Sequence, residues 1–346
     1  MQFYSLDPLL DSRWESFASV HPGASAFHRE GWLKTLAKTY RYRPMVVTST
    51  PPGLPLSNGI VFCEVESWIT GKRLVSLPFS DHLEPLMDDG DDLAEFIAWF
   101  QAERERNGWQ YMELRPLSFQ PPESGQLEKC QTFWIHSLSL APSIEQIFRG
   151  MHRSCIQGRI RRAEHEHLSY ERGSSLALLN DFYQLLLITR RRHQLLPQPR
   201  AWFSNLLTCM SPNAEIRLAR QGSVPIAAIL TLRHRNSVVY KYGCSDERFH
   251  HLAGMPFLFW KLIQESKLES AEAIDFGRTD LNNEGLIEFK DRFGATRERL
   301  TYFRHPGSSV KKSFVASYLP VTRRLFSILP SSLSSLAGRL AYRHIG

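Results

Sequence analysis

The sequence predicts an α+β protein made of two similar units in tandem, each with a mixed, mostly antiparallel sheet. Both halves of the 346-residue chain read as helices, then short alternating strands joined by tight turns, then a helix and a strand. The length also suits two domains of about 150 residues better than one. We expect domains at 1–125 and 126–305, separated by the Pro/Ser-rich loop 116–126, and a tail at 306–346.

Apolar periodicity assigns the elements of each half. In the first half these are helices 9–20 and 29–40, strands 45–48, 59–65 and 74–77, helix 91–106 and strand 109–114. In the second half they are strand 132–138, helix 143–165, strand 168–171, helices 176–195 and 200–210, strands 215–220, 226–233 and 238–244, helix 252–268, strand 273–276, helix 284–293 and strand 298–303. With these boundaries each half is a contiguous unit, and the strand at 298–303 completes the second.

Six of the seven net positive charges lie in the tail. From Pro306 onward there are six basic residues and no acidic one, which leaves 36 Lys+Arg against 35 Asp+Glu before it. A nearly neutral body argues against a DNA-binding protein. Short apolar and basic segments between prolines are typical of amphipathic helices at an anionic membrane surface. The alternative is a tail folded onto the body or onto a partner subunit.

Cysteine usage and hydropathy indicate the compartment. The five cysteines are scattered and form no C-x-x-C pair, which favours reduced thiols and gives no reason to expect a metal site. No apolar run approaches the roughly 20 residues of a membrane span, and the N-terminal residues do not resemble a signal peptide. We expect a cytoplasmic protein that associates peripherally with the inner face of the membrane.

The segment DFGRTDLNNEGLIEFKDRFG (275–294) predicts a strand end, a turn and a short helix from about 284 to 293. On a helical wheel Leu286, Ile287, Phe289 and Phe293 form the apolar face, and Lys290 falls in its middle. A lysine there is costly unless its ammonium reaches an anion or water. Either it serves the chemistry of a site, or it pairs with a neighbour such as Asp275 or snorkels to the surface.

Four stretches together resemble the Fem-type (FemAB-like) aminoacyltransferases of the GNAT superfamily. They are PFSDHLEPL (78–86), RRAEHEHLSYERG (161–173), VPIAAILTLRHRNSVVYKYGCSD (224–246) and DFGRTDLNNEGLIEFKDRFGA (275–295), whose F-K-x-x-F-G element is the most specific. The resemblance covers about 20–305. It implies tandem GNAT-like domains and an enzyme that moves an acyl or aminoacyl group onto an amine of a peptidoglycan- or polysaccharide-related envelope precursor. It also implies an aminoacyl-tRNA donor, with neither a resident cofactor nor a metal.

One departure concerns coenzyme A. GNAT enzymes that use acetyl-CoA bind its pyrophosphate at a Q/R-x-x-G-x-G/A turn before a helix, where free N–H groups meet phosphate. Here the stretch from Arg248 to Pro256 offers only Gly254, and the spacing is wrong. Acyl-CoA is therefore the less favoured donor. The alternatives to aminoacyl transfer are a CoA-dependent N-acetyltransferase and a non-catalytic binding protein on the same fold.

Acyl transfer to an amine requires deprotonation of the amine, stabilisation of an oxyanion and alignment of both substrates. Lys290 occupies the position of the Fem-type lysine, which predicts a catalytic role on an anionic group or the oxyanion. Asp81, in the Pro-rich loop, is the second predicted catalytic residue, as an orienting group or base for the amine. The alternative for Asp81 is a turn-capping carboxylate.

Five further residues are predicted to bind substrate. Tyr240 and Tyr242 alternate along a strand and should face one side, as substrate-binding hydroxyls or as core aromatics. Asp275 ends a strand and should position Lys290 or Tyr242. Arg153 and Arg161 lie on a basic helix and suit a diphosphate, or else form a solvated basic face. The run Arg190–Arg192 is expected at the surface.

Overall fold

The computed structural model describes residues 2–87, 90–119, 127–306, 338 and 340–344, with only the backbone described at 90–92. Among these, the residues up to Thr132 and those from Leu300 onward form unit 1, and Phe133–Arg299 form unit 2. The predicted boundary at 125/126 lies outside the described residues, as does most of the predicted tail. The α+β class and the tandem arrangement of two units with mixed, mostly antiparallel strand pairing are confirmed, and the strands of both units belong to one 12-stranded sheet.

Unit 1 places its helices around a six-strand sheet. Its elements are β1 (Tyr4–Leu6), α1 (Arg13–Val20), α2 (Glu30–Tyr40), β2 (Arg43–Thr48), β3 (Ile60–Ser67), β4 (Gly71–Val75), α3 (Gly90–Asn107), β5 (Met112–Leu114) and the second half of β12 (Thr296–His305). The order is β1-β2-β3-β4-β5-β12, and only β4 and β5 run parallel. Stacked rings pack α3 on β3, with Phe96 on Phe62 at 5.7 Å, and on the connection to β5, with Phe100 on Trp109 at 5.8 Å.

Unit 2 repeats this plan. Its elements are β6 (Glu128–Ser139), α4 (Ile144–Gly150), α5 (Gly158–His165), β7 (Ser169–Gly173), α6 (Leu176–Arg192), α7 (Arg200–Cys209), β8 (Ala214–Gln221), β9 (Val224–His234), β10 (Ser237–Ser245), α8 (Gly254–Leu268), β11 (Ala273–Asp280) and α9 (Glu284–Asp291). The order is β6-β11-β10-β9-β8-β7, with β10 and β11 parallel and the other pairs antiparallel. Tight turns join β8, β9 and β10, as the sequence predicts.

The last strand does not complete the second half, and the prediction of a contiguous second unit is wrong in this respect. Phe303, Arg304 and His305 of β12 pair with β5 in unit 1, opposite Leu114, Glu113 and Met112. The strand that pairs with β11 on the side away from β10 is β6, which precedes all the helices of unit 2. The prediction places this strand in the second unit because consecutive strands usually pair with each other. The order of the elements along the chain does not reveal an exception to that rule.

The helix predicted over 143–165 is broken. α4 ends at Gly150, Met151 is extended and buried, and a five-residue π-helix, Arg153–Gln157, leads into α5. His152 fixes the break, since its backbone N–H donates to the Arg292 carbonyl and its Nδ1 accepts from the N–H of Cys155. The amphipathic pattern continues across the break, so periodicity reads the two helices as one.

The described residues near the C-terminus contact unit 1. The Tyr42 hydroxyl donates to the carbonyl of Tyr342 at 2.6 Å, and Thr70 and Arg73 both donate to that of His344 at 3.1 Å. For residues 340–344 the structure therefore agrees with the alternative of a tail folded onto the body. Of the helices within the described ranges, none is long and apolar enough to cross a membrane.

Candidate functional site

The candidate site lies in unit 2, where β10 and β11 separate. Their parallel pairing covers three positions and ends at Val239 and Asp275, while β10 continues to Ser245 and β11 to Asp280. Each strand carries an irregularity just beyond the last pair: β10 at Lys241 against β9, and β11 between Asp275 and Arg278 against β6. A bulge re-aims side chains and interrupts pairing. We call this separation of the two strands the opening, and we take it as the candidate site because the predicted residues Tyr240, Asp275 and Lys290 lie beside it.

Lys290 fixes the β11 bulge from below. Its side chain is 3% exposed, and its ammonium donates to the carbonyl of Gly277 at 2.7 Å, to that of Arg278 at 3.2 Å and to Thr279 Oγ1 at 2.7 Å. These acceptors match the three ammonium protons, which is how a buried lysine on an apolar helix face is tolerated. Lys290 is therefore built into the strand. Its predicted direct contact with a substrate anion stays a prediction.

Asp275 holds the same bulge from the other side. Its Oδ1 accepts from the N–H of Gly277 at 2.6 Å, and Gly277 adopts a φ of 73°, which suits a residue without a Cβ. The Gly277 backbone thus donates to Asp275 and accepts from Lys290. Asp275 and Lys290 thus form hydrogen bonds to the same glycine. That Asp275 positions Lys290 for activity stays a prediction.

Aromatic packing places Lys290 at this point. Asn283 caps α9 by accepting from the N–H of Leu286, and the chain leaves the helix through Gly294 at a φ of 82°. Phe293 and Phe289 lie on Phe259 of α8, with ring centroids 5.1 and 5.6 Å apart. The predicted apolar face of the helix is confirmed, and it turns Lys290 toward β11.

Tyr240 and Tyr242 do not share a face, so the prediction that both point to one side is wrong. The irregularity at Lys241 sets Tyr240 opposite Thr231 and Tyr242 opposite Leu230, which are successive residues of β9 and therefore point to opposite faces. Regular alternation cannot anticipate a bulge.

The two tyrosines consequently have different surroundings. The Tyr242 hydroxyl accepts from Trp202 Nε1 at 2.9 Å, and its ring meets Phe203 edge-on at 5.1 Å. Tyr240 lies on Phe259, 4.7 Å between centroids, and its hydroxyl reaches over Gly243, where a Cβ would overlap it. Burial raises the pKa of Tyr240, so the phenol is protonated at neutral pH. Tyr242 has the contacts of a core residue, and Tyr240 is the one beside the opening.

His136 is a member of this region that the sequence reasoning missed. It lies on β6 opposite the bulge, is 0% exposed, and its Nε2 is 3.4 Å from Asp291 Oδ1. Neither ring nitrogen has a hydrogen-bond partner within the described residues. Burial and the charge of Lys290 lower the pKa of His136 to about 4, so the ring is neutral above that pH. A single histidine in an apolar strand gives no sequence signal of this environment.

Arg153 and Arg161 are exposed and lie on separate helical segments. Arg153 opens the π-helix, and the guanidinium of Arg161 lies 5.5 Å from the centre of the Phe148 ring. Because the predicted helix is broken, the two arginines do not lie on one face of a single regular helix. Their predicted diphosphate contact remains a prediction.

Asp81 belongs to unit 1, in a loop held in an unusual backbone conformation. Leu77 and Phe79 have φ values of 55° and 63°, which side chains other than glycine adopt rarely. Arg115 maintains the loop by donating to the carbonyls of Leu77 at 2.9 Å and Ser80 at 3.2 Å. The Tyr302 hydroxyl donates to the carbonyl of Asp81 itself. The Asp81 carboxylate is half-buried on this rigid loop.

A buried ion cluster supports that loop. Glu113 is 6% exposed and pairs with Arg115 and Arg304, both at 2.8 Å. Burial alone would raise the pKa of Glu113, but the two guanidinium groups hold it below its usual value. Burial would likewise lower the pKa of Arg115, but Glu113, Tyr302 and Asp81 raise it. Arg115 is thus a permanent cation beneath the loop, which the sequence reasoning also missed.

Comparison with known proteins agrees with these elements. Residues 150–291 match the family model described as an acetyltransferase (GNAT) domain. The crystal structure of FemX superposes with a TM-score of 0.71 at 11% identity, covering 88% of this chain and 97% of that chain. A search of curated proteins gives no match.

Two further structures share the fold. The C-terminal domain of a putative lysylphosphatidylglycerol synthetase from Agrobacterium fabrum has a TM-score of 0.57 at 12% identity, covering 90% of this chain and 95% of that chain. A tandem GNAT protein from the clavulanic acid biosynthesis pathway has a TM-score of 0.52 at 10% identity, covering 89% and 99%. Residues 150–291 of this chain are therefore similar to a GNAT domain, and the chain shares its tandem fold with FemX and with a tandem GNAT protein.

Proposed function

We propose that this protein is an N-acyltransferase that moves an acyl or aminoacyl group onto an amine of a cell-envelope precursor, related to peptidoglycan or to an envelope polysaccharide. The observation that carries the proposal is the opening between β10 and β11, with Gly277 held between Asp275 and Lys290 and the protonated hydroxyl of Tyr240 beside it. This rigid, polar arrangement lies within the segment that matches the GNAT model.

Transfer from an aminoacyl ester proceeds in two stages. The amine nitrogen first bonds to the acyl carbon and loses a proton, while the carbonyl oxygen becomes an oxyanion. The carbonyl then re-forms as the bond between the acyl carbon and the leaving oxygen breaks, and that oxygen takes up a proton. The buried positive charge of Lys290 favours negative charge near the bulge, and the Tyr240 hydroxyl can donate a hydrogen bond to the oxyanion or leaving group. In this proposal Tyr240 touches substrate, whereas Lys290 and Asp275 are positioning residues that keep the β11 backbone in place.

For Asp81 we keep the proposal that its carboxylate orients or deprotonates an acceptor amine. The rigidity of its loop supports this role, because a base must be held within hydrogen-bond reach of its proton. Arg153 and Arg161 are proposed to contact an anionic part of the donor or acceptor, for which their exposure is suitable. Tyr242 is left out of the proposed substrate contacts because its hydroxyl is already bonded to Trp202.

Two features bear on the donor. The match to an acetyltransferase model favours acetyl-CoA as an alternative donor. Against it, a Cβ at Gly254 would come within 3.0 Å of the Ala227 Cβ, so this glycine serves the close packing of α8 on β9. No second glycine follows it in the turn. We therefore favour an aminoacyl donor such as aminoacyl-tRNA, and no resident cofactor.

A structural neighbour and the basic segment 306–346 support a proposal for the acceptor and for the location of the enzyme. One structural neighbour is titled a putative lysylphosphatidylglycerol synthetase, a name that joins an aminoacyl group to a membrane lipid. We propose a cytoplasmic enzyme working at the inner face of the membrane, with residues 306–346 contributing basic contacts. Flotation with anionic vesicles, with and without that segment, tests the last point, and identical behaviour of both proteins would remove it.

The test of the function is product detection. The protein is incubated with bulk aminoacyl-tRNA or acetyl-CoA, each combined with UDP-linked or lipid-linked peptide precursors and amino sugars, and mass spectrometry is used to find a new amide. The proposal expects an amide from an aminoacyl donor, formed in a reaction that depends on Tyr240. An amide formed only from acetyl-CoA would favour the alternative donor. Absence of any amide across the panel, with the protein folded, would support a non-catalytic binding protein.

A further inference from the structure

We propose that a pocket at the C-terminal end of α6 binds an organic phosphate, meaning a phosphate or diphosphate group carried on an apolar or planar body. The pocket has a volume of about 420 Å³, within the range of small-molecule sites. The end of α6, the loop after it and Glu247 enclose this space. The inference rests on this pocket alone, and it holds or fails independently of acyl transfer.

Positive charge dominates the lining. Three consecutive arginines, Arg190, Arg191 and Arg192, face one carboxylate, Glu247, among the described lining residues. The expectation that this run is simply surface is therefore incomplete, because Arg190 and Arg192 are half-buried and all three line the pocket. Like charges at such short spacing repel, so a bound anion would relieve the repulsion as well as form bonds.

Two neighbouring histidines contact Arg192 but are uncharged. Arg192 donates to Nε2 of His250 at 3.2 Å and to Nε2 of His193 at 3.3 Å, so both nitrogens act as acceptors and both rings are neutral. Burial, followed by the charge of Arg192, lowers the pKa of each ring. Neither ring carries a charge, so the two histidines do not offset the positive charge of Arg192.

Arg190 gives the most specific indication of a missing partner. Within the described ranges its guanidinium has no hydrogen-bond or ion-pair partner, although the side chain is half-buried. Its positive charge partly offsets the rise in the pKa of Tyr240 and Cys244 that burial causes. A partly desolvated arginine without an anion is unfavourable, and phosphate oxygens fit its planar donors in pairs.

Apolar side chains complete the pocket and indicate what carries the phosphate. Ile188 and Leu195 are 38% and 37% exposed, and Leu187, Leu196 and Pro197 continue the wall. Free phosphate would leave this surface in water, whereas a nucleoside or a lipid chain would cover it. Thr189 anchors the wall to the end of β10, since its hydroxyl donates to the Ser245 carbonyl and accepts from the Ser245 N–H.

A purely structural account explains less. Arginines in the last turn of a helix offset the negative end of its dipole. That role requires no cavity, no exposed leucine and isoleucine beside the cations, and no acidic residue across from them. An organic phosphate accounts for the cations and the apolar wall together.

Calorimetric titration of the full chain tests the proposal with four probes: ADP, dihexanoylphosphatidic acid, inorganic pyrophosphate and adenosine. We expect ADP or the short-chain lipid to bind, inorganic pyrophosphate to bind more weakly, and adenosine not to bind. Which ester binds identifies the carrier as a nucleoside or a lipid. The Arg190→Gln variant should weaken binding about tenfold or more, the loss expected for one charge-assisted contact.

Variants of opposite sign provide the control. Glu247→Gln removes the negative charge from the pocket and should tighten binding several-fold, whereas Arg162→Gln, an exposed arginine on α5, should leave affinity unchanged. Thermal melts establish that each variant is folded, and Arg191→Gln replaces Arg190→Gln if the latter is not. The proposal is overturned if neither ester binds at millimolar concentration, or if the pocket variants bind as the wild type does.

Discussion

The ammonium of Lys290 donates to the carbonyl of Gly277 across 2.7 Å, and this contact determines the shape of the candidate site. It ties α9 to the β11 bulge at the point where β11 leaves β10. The ammonium also donates to two further acceptors on β11, the carbonyl of Arg278 and Oγ1 of Thr279. Lys290 lies on an apolar helix face, and its hydrogen bonds stabilise the bulged conformation of β11.

Lys290→Met should destabilise unit 2, because methionine keeps the volume but leaves two carbonyls and a hydroxyl without a donor. At roughly 1 to 3 kcal/mol for a buried group left unsatisfied, we expect a loss of about 2 to 4 kcal/mol in the free energy of unfolding. Urea denaturation measures this. Lys129→Met, at an exposed lysine, is the matched control and should lose little. An unchanged urea midpoint for Lys290→Met would refute the proposal that Lys290 stabilises the β11 bulge.

Tyr240→Phe and Tyr242→Phe should have opposite effects. Removing the Tyr242 hydroxyl leaves the buried Nε1 of Trp202 without an acceptor and should cost about 1 to 3 kcal/mol of stability. Removing the Tyr240 hydroxyl should leave stability nearly unchanged and lower the transfer rate at least tenfold. Urea unfolding and the product assay measure the two effects. The same pattern of loss in both variants would contradict the separation of the tyrosines.

Gly243→Ala offers a second way to disturb Tyr240. A Cβ at this position overlaps the Tyr240 hydroxyl, whose ring is held on Phe259, so the hydroxyl must move away from its place. We expect a fall in transfer rate comparable to that of Tyr240→Phe, with the protein still folded by circular dichroism. Full activity in Gly243→Ala would show that the position of this hydroxyl is unimportant.

His136 should make stability pH-dependent. Its pKa is about 4 in the folded chain and near 6.5 when unfolded, so the unfolded chain binds the proton more tightly and stability falls as pH drops from 6.5 toward 4. Between pH 7 and pH 5 this amounts to about 2 kcal/mol. Urea unfolding at both values measures the difference for wild type and for His136→Gln. An equal loss in both proteins would contradict the assignment.

Arg115→Lys should loosen the loop that carries Asp81. Lysine retains the charge but cannot reach Glu113, Leu77 and Ser80 together, as the guanidinium does. We expect about 2 to 4 kcal/mol of destabilisation, with Glu113 left partly unpaired. Thermal unfolding of unit 1 and protease cleavage near Phe79 are the measurements. Arg106→Lys, an exposed arginine on α3, should behave as wild type, and an intact loop in Arg115→Lys would refute this support.

Most helices and strands and the segment 275–294 could be predicted from the sequence, whereas the β-bulges in β10 and β11 could not. The cap at Asn283 and the apolar face around Phe293 are local signals, so α9 could be predicted closely. The opposed faces of Tyr240 and Tyr242 depend on one extra residue in β10, which alternation cannot show. His136 and Arg115 acquire their roles from partners far along the chain, as does β12 in its pairing with β5. These relationships arise from tertiary pairing, so no local pattern reports them.

The most direct test of the central claim is amide formation on envelope-precursor amines with aminoacyl-tRNA as donor, followed by mass spectrometry for wild type and Tyr240→Phe in parallel. The account predicts an amide from the wild type and at least a tenfold slower reaction from a stably folded Tyr240→Phe. An amide formed equally fast by both proteins would contradict the assignment of the opening between β10 and β11 as the site of transfer.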